Sequence, residues 1–191
     1  MKIHGCDISK WQKDAPHGFD FTVIRATHGN MIDPVAEHHY RNADGLKGFY
    51  SFAKTNQNWL TCAKLFVRYV SRLTGGNDPV FLALDIEGTD AKRANAREWV
   101  RNWLAYVIRV TGIKPLLYVQ SSLISQYADI MNDLDVGLWV AHWGVSKPRT
   151  TPLKTWAMWQ YSDSKGKLDV DYFNGTKEQL RKYMGKVRDI G

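Results

Sequence analysis

The sequence is poor in cysteine and has no long apolar run. The first feature argues against a disulfide-stabilised protein, and the second argues against a membrane-spanning one. Cys6 and Cys62 are its two cysteines, and neither stands in a Cys-x-x-Cys pair. We therefore expect both thiols to be free and buried rather than part of a disulfide framework. No apolar run approaches the roughly 20 residues of a membrane-spanning helix, so no transmembrane segment is expected. Residues 1–7 lack the apolar core of a signal peptide, which predicts a protein made without a secretory leader.

Motifs of several enzyme classes are also missing. The chain contains no Gly-x-Ser-x-Gly, P-loop or dinucleotide-binding fingerprint. None of its six histidines has a spacing typical of metal ligands, and residues 169–175 lack the glycine and one acceptor of a calcium loop. We therefore expect neither a metal nor an organic cofactor.

The net charge of +7 favours an anionic partner, such as nucleic acid, an acidic wall polymer or a membrane surface. The charge is spread along the chain, and its densest part is the basic segment 177–188, interpreted as a terminal helix. A nucleic-acid-binding protein concentrates lysine and arginine on one element with aromatic residues between them. Because this sequence does so only at its C-terminal end, no nucleic-acid partner is expected.

Short apolar strands alternate with helical patterns along the chain. Strands are predicted at residues 3–8, 21–27, 48–53, 80–86, 115–119, 138–142, 156–161 and 168–172. Apolar residues recur at helical spacing over 59–73 and 96–108, and more weakly over 35–43. This alternation predicts a parallel sheet, and about eight strands predict closure into a barrel. The expected fold class is α/β, an irregular TIM-like barrel with fewer helices than strands.

The last two predicted strands are joined by residues 162–167, which are too few for the crossover that parallel strands need. We therefore expect these strands to form a C-terminal antiparallel β-hairpin. The sequence shows no linker and no internal repeat, so residues 1–191 are interpreted as a single domain.

The segment 79–88 carries the main chemical signal. Five apolar residues run directly into Asp85, and one apolar residue separates Asp85 from Glu87. Side chains at i and i+2 of a strand lie on the same side, with Cα atoms roughly 6.5 Å apart. Poor solvation and the neighbouring charge favour protonation of one carboxyl group. A protonated acid beside a carboxylate is suited to cleaving a glycosidic bond, whereas the simpler interpretation is two strand-end acids that face water.

Other polar and aromatic residues also fall near the ends of predicted strands. They are Asp7, Tyr50, Tyr118, Trp139, Gln160, Asp169 and Asp171. In a barrel of parallel strands, catalytic groups gather at the carboxyl ends of the strands. Several carboxylates and aromatic side chains are therefore expected at one end of this barrel.

Five ordered sequence blocks resemble glycoside hydrolase family 25, the lysozymes that cleave the bond after N-acetylmuramic acid in peptidoglycan. The blocks are Gly5-Cys6-Asp7-Ile8-Ser9, Gly48-Phe49-Tyr50-Ser51-Phe52-Ala53, Leu84-Asp85-Ile86-Glu87, Leu138-Trp139-Val140-Ala141, and Trp159-Gln160-Tyr161-Ser162 followed by residues 168–175. Together they span nearly the whole chain. The resemblance implies a flattened α/β barrel and a lysozyme or endolysin that hydrolyses peptidoglycan.

The resemblance also implies roles for individual residues. Glu87 resembles the family's general acid and base, and Asp85 resembles its partner carboxylate. Asp7 resembles the carboxylate of the first strand. The fourth family carboxylate corresponds to Asp169 or Asp171, and Asp169 is the better match to the usual spacing. Residues expected to bind the sugar chain are Tyr50, Tyr118, Trp139, Gln160 and Asp171.

The partner implied by the resemblance is bacterial peptidoglycan, and we expect a monomer. Without a leader, the enzyme is expected to stay in the host cytoplasm until release and then to act on the cell wall, as a phage endolysin does. The alternative is a non-catalytic module that binds cell-wall glycan through its aromatic residues.

Overall fold

Eight strands pair edge to edge into a closed barrel in the computed structural model, which describes residues 2–163 and 168–188. They are β1 (Ile3–Ile8), β2 (Phe21–His28), β4 (Leu46–Phe52), β5 (Pro79–Asp85), β6 (Leu116–Gln120), β7 (Gly137–Ala141), β8 (Met158–Ser162) and β9 (Asp169–Phe173). Two short strands lie outside the ring: β3 (Met31–Ile32) pairs with β2, and β10 (Gly185–Lys186) pairs with β5. β1, β2 and β4 to β8 run in one direction around the barrel. β9 is antiparallel to both β8 and β1 and closes the ring. The expected α/β barrel and its antiparallel hairpin are confirmed.

Among the described residues, five of the six helices connect strands between β2 and β7. The helices are α1 (Ala36–Asn42), α2 (Trp59–Thr74), α3 (Gly88–Ala91), α4 (Ala96–Thr111), α5 (Ile124–Leu134) and α6 (Lys177–Arg181). The three predicted helical stretches are confirmed as α1, α2 and α4. Gly75 and Gly112 end α2 and α4 in the left-handed conformation, which glycine adopts without steric cost.

Helix α5 and the end of the chain differ from the sequence-based expectation. The N-cap of α5 is Leu123, which makes no side-chain capping bond, so the start signal usually given by serine, asparagine or aspartate is missing. The basic segment 177–188 is not one helix, because α6 ends at Arg181 and β10 then pairs with β5. None of the helices in residues 2–163 and 168–188 is both long and apolar enough to cross a membrane.

Aromatic side chains take the place of helices on the outer face of β1, β8 and β9. The rings of Tyr161 and Tyr172 stack with centroids 4.4 Å apart. Nε2 of His4 lies 2.6 Å from Oη of Tyr161, and the Trp159 ring packs edge-on against Tyr161 at 5.8 Å. These rings cover strands that no described helix covers, so the barrel is shielded from water with fewer helices than strands.

Alternate residues of the strands fill the barrel interior with apolar rings. A Cβ atom at Gly5 would lie 2.3 Å from the ring of Phe21, and one at Gly48 would lie 2.3 Å from the ring of Phe81. The two rings therefore occupy the space that a side chain at either glycine would need. Phe21 and Phe81 meet edge to face at 6.2 Å and form an apolar floor across the barrel.

We expect Gly48→Ala to destabilise the fold by about 1–3 kcal/mol, because the added methyl group would overlap the Phe81 ring in a filled interior. Urea unfolding measures the change. In a Phe81→Leu background the same Gly48→Ala change should cost less, since the smaller side chain leaves room. An equal cost in both backgrounds would contradict the proposed contact.

Candidate active site

A cavity of about 260 Å³ opens at the carboxyl ends of the barrel strands. Eight of the nine residues that the sequence singled out line it: Asp7, Tyr50, Asp85, Glu87, Tyr118, Trp139, Gln160 and Asp169. A larger cavity of about 880 Å³ lies at the opposite end of the barrel, beside Gly137 at the start of β7. Its lining includes one carboxylate, Asp135, and no carboxylate pair. The smaller cavity is therefore the candidate active site.

Asp85 and Glu87 reach this cavity from the end of β5. The backbone amide of Ile86 donates to the carbonyl of Tyr118 at 3.1 Å, so the chain continues along β6 past the last residue of β5. Glu87 keeps extended backbone angles, φ −150° and ψ 178°, and the alternation of strand side chains continues to it. Both carboxyl groups consequently lie on the same side of the chain and line the same cavity.

Burial raises the pKa of both carboxyl groups. Asp85 is 8% exposed, and burial together with the charge of Glu87 raises its pKa well above the usual range. Oδ1 of Asp85 is buried without a hydrogen-bond partner among the described residues, which further disfavours its charged form. Burial also raises the pKa of the partly buried Glu87. The two groups therefore titrate as a pair that retains a proton at a higher pH than free carboxylic acids do.

Gln160 holds Asp7 and two aromatic residues in fixed positions. Its amide nitrogen donates to Oδ2 of Asp7 at 2.7 Å. Its amide oxygen accepts from Tyr118 Oη and from Trp143 Nε1, both at 3.0 Å. Burial and the charges of Asp171 and Asp169 raise the pKa of Asp7 well above its usual range. Gln160 thus fixes the orientation of Asp7, Tyr118 and Trp143, which all line the cavity.

The two acids of β9 lie at different depths. Asp169 lines the cavity, and burial followed by the charges of Asp163 and Glu87 raises its pKa to about 6. Asp171 is fully buried, and its Oδ1 accepts a hydrogen bond from Nε1 of Trp139 at 2.8 Å. Asp171 is not among the residues that line the cavity, and its role in binding the sugar chain stays a prediction. Its hydrogen bond holds the Trp139 ring that lines the cavity.

Arg25, Trp11 and Trp143 line the cavity but were not selected from the sequence. Among the described residues that line the cavity Arg25 is the only cation, and its Nε donates to Oδ2 of the buried Asp33 at 2.7 Å. Its positive charge opposes the rise in the pKa of Asp85. The alternation of β2 could have indicated Arg25, since it follows the inward-facing Phe21 and Val23 by steps of two.

Asp90 fixes the short helix α3 that begins directly after Glu87. This buried carboxylate accepts from Nζ of Lys54 at 2.6 Å and from the backbone amide of Thr55 at 2.8 Å. Asp90 therefore ties the segment after Glu87 to the loop after β4, which restricts where the Glu87 side chain can lie.

Neither cysteine has a place in this chemistry. Cys6 and Cys62 are free and buried, as expected. Cys6 belongs to the layer between strands and helices, and burial raises the pKa of its thiol. Within residues 2–163 and 168–188, no three His, Cys, Asp or Glu side chains are grouped so that they could hold a metal ion.

Comparison with known proteins identifies the family to which this barrel and cavity belong. Residues 3–170 match the family described as Glycosyl hydrolases family 25. The chain belongs to this family and is a glycoside hydrolase of the lysozyme type. Lysozyme M1 of Streptomyces globisporus is 29% identical over 208 residues, which cover 93% of this chain and 70% of that protein.

Solved structures share the barrel of this family 25 hydrolase. The lysozyme of Streptomyces coelicolor aligns with a TM-score of 0.74 at 26% identity, over 95% of this chain and 96% of that chain. The catalytic domain of endolysin ply40, from bacteriophage P40 of Listeria monocytogenes, aligns with a TM-score of 0.74 at 27% identity, over 95% and 98% of the two chains.

We expect Asp171→Asn to stabilise this family 25 hydrolase above pH 7. Burial raises the pKa of Asp171 from 3.8 to about 7, so the stability that its protonated form contributes is complete below pH 3.8 and is lost as the pH rises through 7. Asparagine keeps an oxygen that can accept from Trp139 but carries no charge. Urea unfolding between pH 4 and pH 8 should therefore show a smaller loss of stability in the variant.

The exposed Asp14 provides a control for this comparison. Asp14→Asn should leave the pH dependence of unfolding close to that of the unmodified protein. A pH dependence that is the same in Asp171→Asn and in the unmodified protein would contradict a raised pKa at position 171.

Proposed function

We propose that this hydrolase cleaves the β-1,4 bond between N-acetylmuramic acid and N-acetylglucosamine in bacterial peptidoglycan, with Glu87 as general acid and base and Asp85 as its partner carboxylate. The observation that carries the proposal is the placement of both groups in one cavity at the carboxyl end of a family 25 barrel. Lysozymes and an endolysin domain are among the similar proteins, which supports peptidoglycan as the substrate.

The environments of the two acids support different roles. Burial and the charge of Glu87 raise the pKa of Asp85, whereas the positive charge of Arg25 opposes this rise and favours the ionised form of Asp85. Burial also raises the pKa of Glu87, so a protonated Glu87 is available as the general acid. Glu87 is also the more exposed of the two, so its proton can reach the oxygen of the leaving sugar. After bond cleavage the Glu87 carboxylate can accept a proton from the attacking water, while Asp85 stabilises the positive charge that develops on the sugar ring.

Asp7, Asp169 and the aromatic wall complete the proposed site. Asp7 and Asp169 line the same cavity, and in their ionised forms they would add negative charge around the developing cation. The cavity is also lined by Tyr50, Tyr118, Trp139 and Gln160, which are the residues proposed to contact the bound sugar.

A non-catalytic glycan-binding module is the weaker interpretation. Binding of a neutral sugar through aromatic rings does not require buried carboxyl groups, and burying them costs stability. Asp7 and Asp85, which both line the cavity, are nevertheless at most 8% exposed. A set of destabilising acids at one cavity is typical of a catalytic site.

We expect Glu87→Gln to lower the rate of peptidoglycan cleavage by at least about 10²–10⁴-fold, because glutamine keeps the shape of the side chain but cannot transfer the proton. Asp85→Asn should cost less, but still orders of magnitude. Release of soluble fragments from dye-labelled peptidoglycan measures both rates. Glu178→Gln, at an exposed position of α6, is the matched control and should retain full activity. Near-normal lysis by Glu87→Gln would refute the assignment.

We expect Arg25→Gln to move the acidic limb of the pH profile of kcat/KM to higher pH. Arg25 favours the charged form of Asp85, and its removal raises the pKa of that group further, so a higher pH is needed to ionise Asp85. Arg25→Lys keeps the positive charge and should return the limb toward that of the unmodified enzyme. An acidic limb that stays at the same pH in Arg25→Gln would contradict the proposed effect on Asp85.

Action on the bacterial cell wall follows from this substrate. That the enzyme works as a monomer, and that it waits in the host cytoplasm until release, are predictions. A single domain over residues 1–191 is likewise a proposal, which the continuous barrel from β1 to β9 supports.

A further inference from the structure

Large apolar side chains remain exposed mainly at the catalytic end of the barrel. Within residues 2–163 and 168–188 they are Trp11, Met31, Ile32, Trp143 and Val145. All five follow the carboxyl end of β1, β2 or β7, which is the end that carries the catalytic cavity. Exposed apolar groups gathered in one region mark a binding surface.

Trp11 is the most exposed of the five, at 75%, and its loop is held in place by hydrogen bonds. The amide of Gln12 donates to the carbonyl of Ser9 at 3.0 Å, and the Gln12 side chain accepts from the amide of Ser9 at 2.9 Å. Nε2 of His39 lies 3.0 Å from the carbonyl of Gln12. An ordered turn therefore presents the indole to water at the cavity rim.

Lys10 places a positive charge beside this ring. Its Nζ lies 4.8 Å from the centroid of the Trp11 ring, within the range of a cation–π contact. Its backbone amide donates to Oδ2 of Asp33 at 3.1 Å, which fixes the residue to the segment after β3. An aromatic face next to an ammonium group suits a sugar ring that bears a carboxylate.

Trp143 lies on the other side of the cavity. It follows β7, whereas Trp11 follows β1, and β8 and β9 separate these strands around the barrel. Trp143 is 44% exposed, and its Nε1 donates to Gln160 at 3.0 Å. Two partly exposed indoles thus flank the cavity that holds the carboxyl groups.

The cavity itself is too small for a chain of sugars. Its volume of about 260 Å³ lies below the roughly 300–1,000 Å³ of sites that enclose a small ligand. A polymer whose scissile bond lies at Glu87 must continue across the rim, where these indoles lie.

We propose that Trp11 and Lys10 form a rim subsite for a sugar of the glycan strand beyond the cleaved bond. The indole packs against the face of the ring, and the Lys10 ammonium group binds the free carboxylate of an N-acetylmuramic acid unit. Trp143 provides the corresponding ring surface on the opposite side. This inference rests on the proposed function, because it takes the peptidoglycan glycan strand as the polymer.

Titration calorimetry with soluble, peptide-free glycan strands tests the subsite in the Glu87→Gln protein, which leaves the strand uncut. Adding Trp11→Ala should weaken binding about tenfold, as expected for an aromatic residue central to binding, whereas Trp11→Phe should keep most of the affinity. Lys10→Ala should also weaken binding. Lys13→Ala, at an exposed position of the same loop, is the control and should leave the affinity unchanged.

An affinity that Trp11→Ala leaves unchanged, or no measurable binding by the Glu87→Gln protein, would overturn the inference. Failure of the proposed function has a different signature, in which the unmodified protein leaves peptidoglycan uncut while strand binding still depends on Trp11. In an active enzyme, Trp11→Ala should raise KM for the polymer and change kcat little, because the rim contact is the same before and during bond cleavage.

Discussion

Several carboxyl groups are buried at the mouth of an apolar barrel, and the cost of burying them explains most of the contacts around the site. Asp7, Asp85 and Asp171 are almost inaccessible to water, and their charged forms are correspondingly unfavourable. The physical result is a group of acids that keeps protons at a pH where free carboxylic acids have lost them. That property suits proton transfer to a glycosidic oxygen, and it makes the site a source of instability that the surrounding fold has to offset.

The stabilisation that compensates for burying these acids comes from a few contacts, each of which fixes one acid or one ring. Gln160 donates to Asp7, Trp139 donates to Asp171, and Arg25 lies near Asp85 while bound to Asp33. The barrel interior is filled by aromatic rings that pack against glycines. This close packing leaves no space into which the polar side chains of the site could move. The chemistry is therefore confined to one end of the barrel, and binding of a long polymer falls to the loops around that end.

Much of the fold was predictable because its signals are local. Alternation of apolar strands with helical stripes indicated the α/β barrel, and the short connection after β8 indicated the hairpin with β9. Helix α5 is not predicted from the sequence, because Leu123 gives no helix start signal. The prediction of one helix over the basic segment 177–188 is wrong, because β10 pairs with β5, which is distant in sequence. The pairing of Asp85 with Glu87 could be predicted from the sequence, because side chains two residues apart in a strand lie on the same side.

Strand periodicity and short motifs depend on consecutive residues, so the amino-acid sequence is enough to indicate the type of barrel, the family, and the candidate acids and aromatic residues. How deeply each of these groups is buried becomes visible in the folded barrel alone. It placed Asp169 among the residues that line the cavity, whereas the fully buried Asp171 accepts a hydrogen bond from Trp139, although both follow the same alternation. It also brought Arg25, Trp11 and Trp143 to the same cavity. The burial of these side chains and the distances between them depend on how strands that are distant in sequence pair around the barrel. A local sequence pattern does not predict that pairing.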